Sequence, residues 1–252
     1  MIHNMLKTVF TIVSNEEIAF RSYRLELIGD CCGQVPAPGQ FVDIAIPGYY
    51  LRRPISVCDA DDRHITLIYK TVGAGTKELS GFRHGQELEL LLPLGHGFDP
   101  DAVRDSALLV GGGLGSAPMY FLAKALLARG KKLSVVLGFN RACEIVLREE
   151  FRQLGIEPVI ATMDGSEGIK GFVTDAIAAE VPEFDRFYTC GPLPMMKAVC
   201  TALECGGEAS LEERMGCGAG FCYGCSCHTL TGTKRICKDG PVLKKEEILW
   251  EK

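Results

Sequence analysis

Cys217, Cys222 and Cys225 follow the spacing C-x4-C-x2-C, and Cys237 comes after a further eleven residues. Three thiolates on a tight loop, closed by a distant fourth, are the arrangement that holds a 2Fe–2S cluster. The loop reads Met215-Gly216-Cys217-Gly218-Ala219-Gly220-Phe221-Cys222-Tyr223-Gly224-Cys225. Its small residues let backbone amides approach the cluster sulfurs, and such hydrogen bonds help set a reduction potential. A cluster here makes the chain a carrier of single electrons. Two other readings compete with it. Structural zinc usually takes paired knuckles, and this chain has one C-x2-C. A disulfide framework suits small secreted domains, whereas 252 residues are enough for a substantial core. Cys227 fits as a fourth ligand only if the loop rearranges. Cys237 fits better, returning from an expected turn at Gly232-Thr233-Lys234. The remaining cysteines (Cys31, Cys32, Cys58, Cys143, Cys190, Cys200, Cys205) share no ligand spacing and read mainly as small buried hydrophobes.

Further upstream lie groups suited to phosphate. In Leu51-Arg52-Arg53-Pro54-Ile55-Ser56-Val57, Arg53 and Ser56 can present a fork-shaped cation and a hydroxyl to a pyrophosphate or a flavin ring. A solvated pair of arginines is the plainer alternative. Val72-Gly73-Ala74-Gly75-Thr76 has glycines that allow amides to close on phosphate, with Thr76 adding a hydroxyl; an ordinary loop is the alternative there. Gly111-Gly112-Gly113-Leu114-Gly115-Ser116-Ala117-Pro118 joins a buried strand to a helix start, where free N–H groups and the helix dipole favour an anion. It departs from a clean G-x-G-x-x-G, and a simple tight turn competes. Cys190-Gly191-Pro192 ends another buried strand at the same sheet edge, where ligands bind in open α/β folds. Cys190 is placed either to touch a nicotinamide or merely to pack.

The elements that must position these groups fall into three segments. Residues 1–100 carry closely spaced apolar runs at 7–13, 18–27, 40–46, 65–70 and 87–92, divided by Gly and Pro clusters, which predict a small antiparallel barrel. From 101 to 210 strands alternate with helices. Strands are expected at 106–110, 133–138, 158–162 and 186–189, with helices at 118–128, 144–153, 174–179 and 194–204. That order predicts a doubly wound parallel sheet. Residues 211–252 form the cysteine module. Apolar content of 47%, charged content of 23% and a net charge of −5 describe a globular protein without the basic face a nucleic-acid partner needs. No run approaches the roughly eighteen apolar residues of a membrane span. Met1-Ile2-His3-Asn4-Met5 lacks the apolar core of a signal peptide. With twelve cysteines, this predicts a reducing, cytoplasmic setting.

Taken in order, Arg53-Pro54-Ile55-Ser56, Val72 to Thr76, Gly111 to Pro118, Cys190-Gly191-Pro192 and the C-terminal cysteine motif resemble the ferredoxin–NADP reductase superfamily. Arg214 to Cys225, followed by Cys237-Lys238-Asp239-Gly240-Pro241-Val242, narrows the resemblance to the electron-transfer subunits of type B dihydroorotate dehydrogenase. The resemblance covers essentially the whole chain. It implies an FAD site at Arg53, Pro54, Ile55, Ser56, Tyr69, Lys70, Thr71, Gly73, Gly75 and Thr76. It implies an NAD site at Gly112, Gly113, Gly115, Ala117, Cys190, Gly191 and Pro192, and a 2Fe–2S cage of Cys217, Cys222, Cys225 and Cys237. No catalytic side chain is assigned. The superfamily commonly has Tyr where Pro54 stands, and Trp250, beyond the last cluster ligand, is expected to pack rather than bind.

In the resembling complexes, electrons pass between NAD and an FMN-containing subunit that oxidises dihydroorotate to orotate in pyrimidine biosynthesis, expected as two copies of each chain. This chain is too short to supply that catalytic barrel itself. Two alternatives remain. One is the small subunit of an NAD(P)H–ferredoxin oxidoreductase or a sulfhydrogenase, the former sometimes using an Asp as a cluster ligand where this chain has Cys. The other is a non-catalytic zinc interaction module. The choice between NAD and NADP is weakly encoded. Phe139-Asn140-Arg141 places no acid where a ribose hydroxyl would need one.

Overall fold

The computed structural model describes residues 5–250; the leader-free reading of the N-terminus rests largely on residues outside that range. The first 94 residues supply β1 (Leu6–Ala19), β2 (Ser22–Ile28), β3 (Phe41–Ile44), β4 (Arg53–Ala60), β5 (His64–Lys70), the short helix α1 (Ala74–Leu79) and β6 (Glu87–Leu94). The six strands close in the order β1-β2-β5-β4-β3-β6, all neighbours antiparallel. Alternation along each strand sends one set of side chains inward. Val42, Ile44, Val57, Leu67, Leu88 and Leu90 are among those that fill the barrel. Each fully buried side chain of this size contributes roughly 1.5–3 kcal/mol.

The second layer is built from β7 (Ser106–Gly112), α2 (Ser116–Leu127), β8 (Lys132–Phe139), α3 (Arg148–Gln153), β9 (Val159–Thr162), β10 (Ile169–Lys170), α4 (Val173–Glu180), β11 (Arg186–Cys190), α5 (Leu193–Ala202) and β12 (Gly207–Ser210). The cysteine segment adds β13 (Ser226–Thr229), β14 (Gly232–Arg235), α6 (Ile236–Asp239) and β15 (Val242–Lys244). The large sheet runs β10-β9-β8-β7-β11-β12-β15. Its first six strands are parallel, and β15 is antiparallel to β12. The cysteine segment therefore shares a sheet with the preceding layer. Alternate residues of β7 face opposite sides. Ala107 and Leu109 pack with Met119 and Leu122 of α2 and Phe151 of α3. Leu108 and Val110 pack with Val173 of α4 and Met196 and Val199 of α5.

Ion pairs tie the barrel to this layer: Lys70 Nζ to Glu144 at 2.8 Å, with Arg24–Glu150 and Lys124–Asp59 beside it. The amide of Phe20 also donates to the carbonyl of Cys143 at 2.9 Å. Among the described residues no helix is long and apolar enough to cross a membrane.

Several expected boundaries move. The apolar run 18–27 spans two strands, because the chain reverses at Phe20-Arg21, with Arg21 at φ +58°. The expected helix 144–153 is broken: a 3₁₀ turn ends at Glu144, and Leu147 at φ +65° precedes α3. Gly232 to Lys234, expected as a turn, lie in β14, and the hairpin turns at Leu230-Thr231. Of the segment Val72 to Thr76, Ala74 to Thr76 form the first turn of α1, with Gly73 capping it.

Candidate functional site

The cysteine loop is wrapped so that its amides face its own sulfurs. Gly220 N donates to Cys237 Sγ at 3.1 Å, and Phe221 N and Cys222 N to Cys217 Sγ at 3.3 and 3.4 Å. Gly224 N donates to Cys222 Sγ and Cys237 N to Cys225 Sγ, each at 3.4 Å. Gly218 at φ +65°, Gly220 at φ +83° and Tyr223 at φ +59° make the reversals that aim these amides inward. Burial alone would raise Cys217, yet the amides of Ala219, Cys222 and Phe221 outweigh it and bring the thiol down to about 7. Cys237 is pushed the other way, to about 12, by burial and by the neighbouring Cys225 sulfur. Among the described residues no three such side chains are already gathered as a metal site, but a cationic centre held by these thiols would reverse that penalty, since metal ions deprotonate coordinating thiols outright. A nest of N–H donors around anionic sulfur fits an iron–sulfur cluster.

The four sulfurs differ in exposure. Cys225 and Cys237 are buried within the apolar cluster that includes Phe41, Ile236 and Leu243, whereas Cys222 is exposed. Phe221 and Tyr223 flank it on the surface, and the Arg235 guanidinium lies 4.7 Å from the Tyr223 ring centroid. Cys227 sits on β13, buried and opposite Lys234.

The phosphate-type groups of the barrel converge at one end. Arg53, at the start of β4, lies 5.1 Å from the ring centroid of Tyr49 and packs against Gly75. Thr76 Oγ1 accepts from the amides of Val72 and Gly73 at 3.0 and 3.3 Å and donates to Gly73 O at 3.2 Å, cinching the loop that precedes α1. Pairing of β4 with β3 puts Pro54 beside Asp43 and Ser56 beside Phe41 on the outer face, while Ile55 packs toward the barrel interior. Thr71 N donates to Arg21 O at 2.9 Å.

Two expected side chains are engaged elsewhere. Tyr69 points into the barrel, stacks on Tyr23 at 5.5 Å and donates its hydroxyl to Asn15 at 2.9 Å. Lys70 is held by Glu144. Both therefore present backbone rather than side chain to anything bound at this edge. Tyr49 is the residue that sequence reasoning passed over, because its partner Arg53 lies beyond a turn.

At the carboxyl edge of the large sheet β7 and β11 run side by side, with Gly111 in register with Cys190. A Cβ on Gly115 would stand 2.1 Å from the carbonyl oxygen of Cys190, and one on Gly112 would stand 2.5 Å from Met195 Sδ. These glycines permit a close approach of two loops, at the point where α2 begins. Ala117 is buried in the first turn of α2, and Gly113 accepts the Ser116 hydroxyl at 2.8 Å. Cys190 is buried, and desolvation pushes its thiol up to about 12, so it stays a neutral S–H. Gly191 and Pro192 open onto a pocket shared with Met196, Glu212 and His228. Trp250, expected only to pack, packs against the core around Cys225 and also lines this pocket.

Residues 212–249 match the iron–sulfur cluster binding domain of dihydroorotate dehydrogenase B, and residues 109–201 match the oxidoreductase NAD-binding domain. The chain is similar to the electron transfer subunit of dihydroorotate dehydrogenase B (NAD(+)) from Lysinibacillus sphaericus, with 45% identity covering 94% of this chain and 96% of that one. The subunit of the same name from Fusobacterium nucleatum is 41% identical, with the same coverage of each chain. Among solved structures, the NADH-dependent reduced ferredoxin-NADP oxidoreductase matches with a TM-score of 0.87 and 31% identity, covering 96% of this chain and 90% of that one. Phthalate dioxygenase reductase shares the fold at 17% identity, with a TM-score of 0.66 over 90% of this chain and 87% of its own.

Proposed function

The chain belongs to the family of electron-transfer subunits of NAD-dependent dihydroorotate dehydrogenase B, and from that membership we propose that it relays electrons between a dihydroorotate-oxidising partner and NAD. The observation that carries this reading is the amide-lined nest of four cysteines on a reductase frame similar to those subunits over nearly their full length. The cofactors are FAD, a 2Fe–2S cluster and NAD, which when bound would supply hydride exchange with nicotinamide and the carriage of single electrons. The partner is a catalytic chain, in our reading FMN-containing and assembled with this one as two copies of each.

The chain's own residues supply position and electrostatics. Arg53, held between Tyr49 and Gly75, offers a preformed guanidinium to the FAD pyrophosphate. The loop cinched by Thr76 offers amides to the same phosphates, with Thr71 and Gly73 beside it. Pro54, Ile55 and Ser56, with the backbone of Tyr69 and Lys70, form the strand edge that would hold the flavin. Gly112, Gly113, Gly115 and Ala117 shape the nucleotide side, and Cys190, Gly191 and Pro192 close it. Cys217, Cys222, Cys225 and Cys237 hold the cluster, with the exposed Cys222 side turned toward the partner. In this reading residues 1–100 serve FAD, 101–210 the nucleotide and 211–252 the cluster, with β15 of the last segment joined to the large sheet.

A second reading keeps these sites and changes the partner to that of an NADH-dependent ferredoxin-NADP oxidoreductase. The structural likeness to that enzyme favours it. Purifying the native complex separates the two. Dihydroorotate-dependent NAD reduction together with a second, FMN-bearing chain supports the first reading. A stable complex with another large subunit and no such activity moves the function to the second.

A further inference from the structure

Asp43 lies where the two cofactor regions of the proposed reading meet. It sits on β3, the strand that pairs with β4, and its register partner there is Pro54 of the flavin segment. Its outer-face neighbour two residues earlier, Phe41, packs in the same apolar cluster as Cys225 and Cys237. The carboxylate reaches the cysteine loop itself: a Cβ on Gly218 would stand 2.4 Å from Asp43 Oδ2. Gly218 is the residue after Cys217, and at φ +65° it is also restricted conformationally. The loop therefore needs glycine here for two reasons, one of them the carboxylate beneath it.

The carboxylate is an expensive group to keep at this place. Asp43 is 1% exposed and its Oδ1 has no hydrogen-bond partner. Burial pushes its carboxyl up to about 6 against the opposing pull of Arg52 and Arg53 through space, so it carries its charge at pH 8. Yet Arg52 pairs with Glu89, and Arg53 bonds to the carbonyls of Leu51 and Arg52. Burying an imperfectly partnered carboxylate is costly, and an apolar residue of similar size would avoid that cost. A carboxylate placed between the flavin strand and the cluster loop points to a role in what passes between them.

We propose that Asp43 is a positioning residue whose buried negative charge, fixed against Gly218, holds the cluster's reduction potential below the value the loop alone would give. This rests on the FAD and cluster sites proposed above. Reduction adds negative charge to an iron–sulfur centre, so a fixed anion beside the loop disfavours the reduced form, and net charge is a recognised determinant of such potentials. The carboxylate touches the cluster loop at Gly218, so its charge should act more on the cluster than on the flavin.

The test uses the complete complex at pH 8. The wild type is first assayed for iron, flavin and the EPR signal of a reduced 2Fe–2S cluster. Absence of either cofactor overturns the proposed function rather than this inference. With both present, midpoint potentials of cluster and flavin are measured in Asp43→Asn and Asp43→Ser, two neutral replacements of different shape. The inference expects the cluster potential to move positive in both, and by more than the flavin potential. If only one variant loads a cluster, its shift decides by the same criterion. Unchanged cluster potentials, or a flavin shift as large as the cluster's, overturn the inference. Failure of both variants to load a cluster also overturns it, and assigns Asp43 to the folding of the loop instead.

Discussion

The guanidinium of Arg53 lies so close over Gly75 that a Cβ there would stand 2.4 Å from both Nε and Nη2. Gly75→Ala must therefore displace Arg53 from its place between Tyr49 and the loop before α1. Loss of a charge-assisted contact of this kind costs roughly 1.5–3 kcal/mol, so FAD should bind about ten- to a hundredfold more weakly. Equilibrium dialysis of FAD with an unchanged far-UV spectrum is the check. Arg53→Ala should do the same, and the double variant should lose less than the sum, because both act on one contact. Additive losses would show that Gly75 serves the loop independently of Arg53.

Cys222→Ser and Cys237→Ser should both abolish the 2Fe–2S EPR signal, and Cys222→Ser should keep its flavin absorbance, because the barrel is untouched. Stability separates the two. Cys222 is exposed, whereas Cys237 is 3% exposed in the core beneath the loop. Replacing the buried thiol by a hydroxyl should cost about 1–3 kcal/mol more in chemical denaturation. A normal EPR signal in either variant removes that residue from the ligand set.

Gly115→Ala should damage the nucleotide side while sparing the barrel. The added carbon meets backbone, the carbonyl of Cys190, at 2.1 Å, so the loops at the ends of β7 and β11 must part. Overpacking of this kind costs about 1–3 kcal/mol, and denaturant titration should show it. Reduction of bound flavin by NADH, followed by stopped flow, should slow while FAD content holds. An unchanged rate would place nicotinamide binding away from this edge.

Asp185 joins the start of β11 to the start of β7 by accepting from the amides of Arg104, Asp105 and Ser106 at 3.2, 2.6 and 2.9 Å. Partial burial works against its ionisation, but the three amides prevail and hold its carboxyl below the usual range. A carboxylate depressed in the folded state stabilises fully above its unfolded pKa, and that contribution is lost as pH falls through the folded value. Asp185→Asn should thus lower stability at pH 7 by roughly 1–2 kcal/mol. The gap should narrow as pH falls below about 4. A gap that stays constant with pH would mean that shape, not charge, is what Asn removes.

Much of this architecture is legible in one dimension. Alternation in runs such as 87–92 sends Leu88 and Leu90 into the barrel, and the continuous run 106–110 marks a strand buried on both faces. Boundaries are less legible where the backbone overrides pattern. Arg21 and Leu147 adopt positive φ, which no apolar periodicity announces, and they split one expected strand and one expected helix. Tyr69 shows the same limit at the site. Its place on β5 turns the side chain inward to Asn15, although its backbone lies at the edge where FAD is proposed to bind.

What the sequence determined by itself was chemistry that depends on short separations. The C-x4-C-x2-C loop, its glycines and the strand-to-glycine turns carry their meaning within a few residues, because each needs only local backbone conformation. Only the tertiary structure decided which of these meet. Cys190 against Gly115, Tyr49 over Arg53, Trp250 at the Gly191 pocket and Asp43 beneath Gly218 are contacts between segments distant along the chain or separated by turns. Asp43 and Gly218 come together because β3 is paired inside the barrel while β15 is stitched into the large sheet. Strand pairing sets such neighbours by register and packing over long separations, and no local pattern around Asp43 records the loop that covers it.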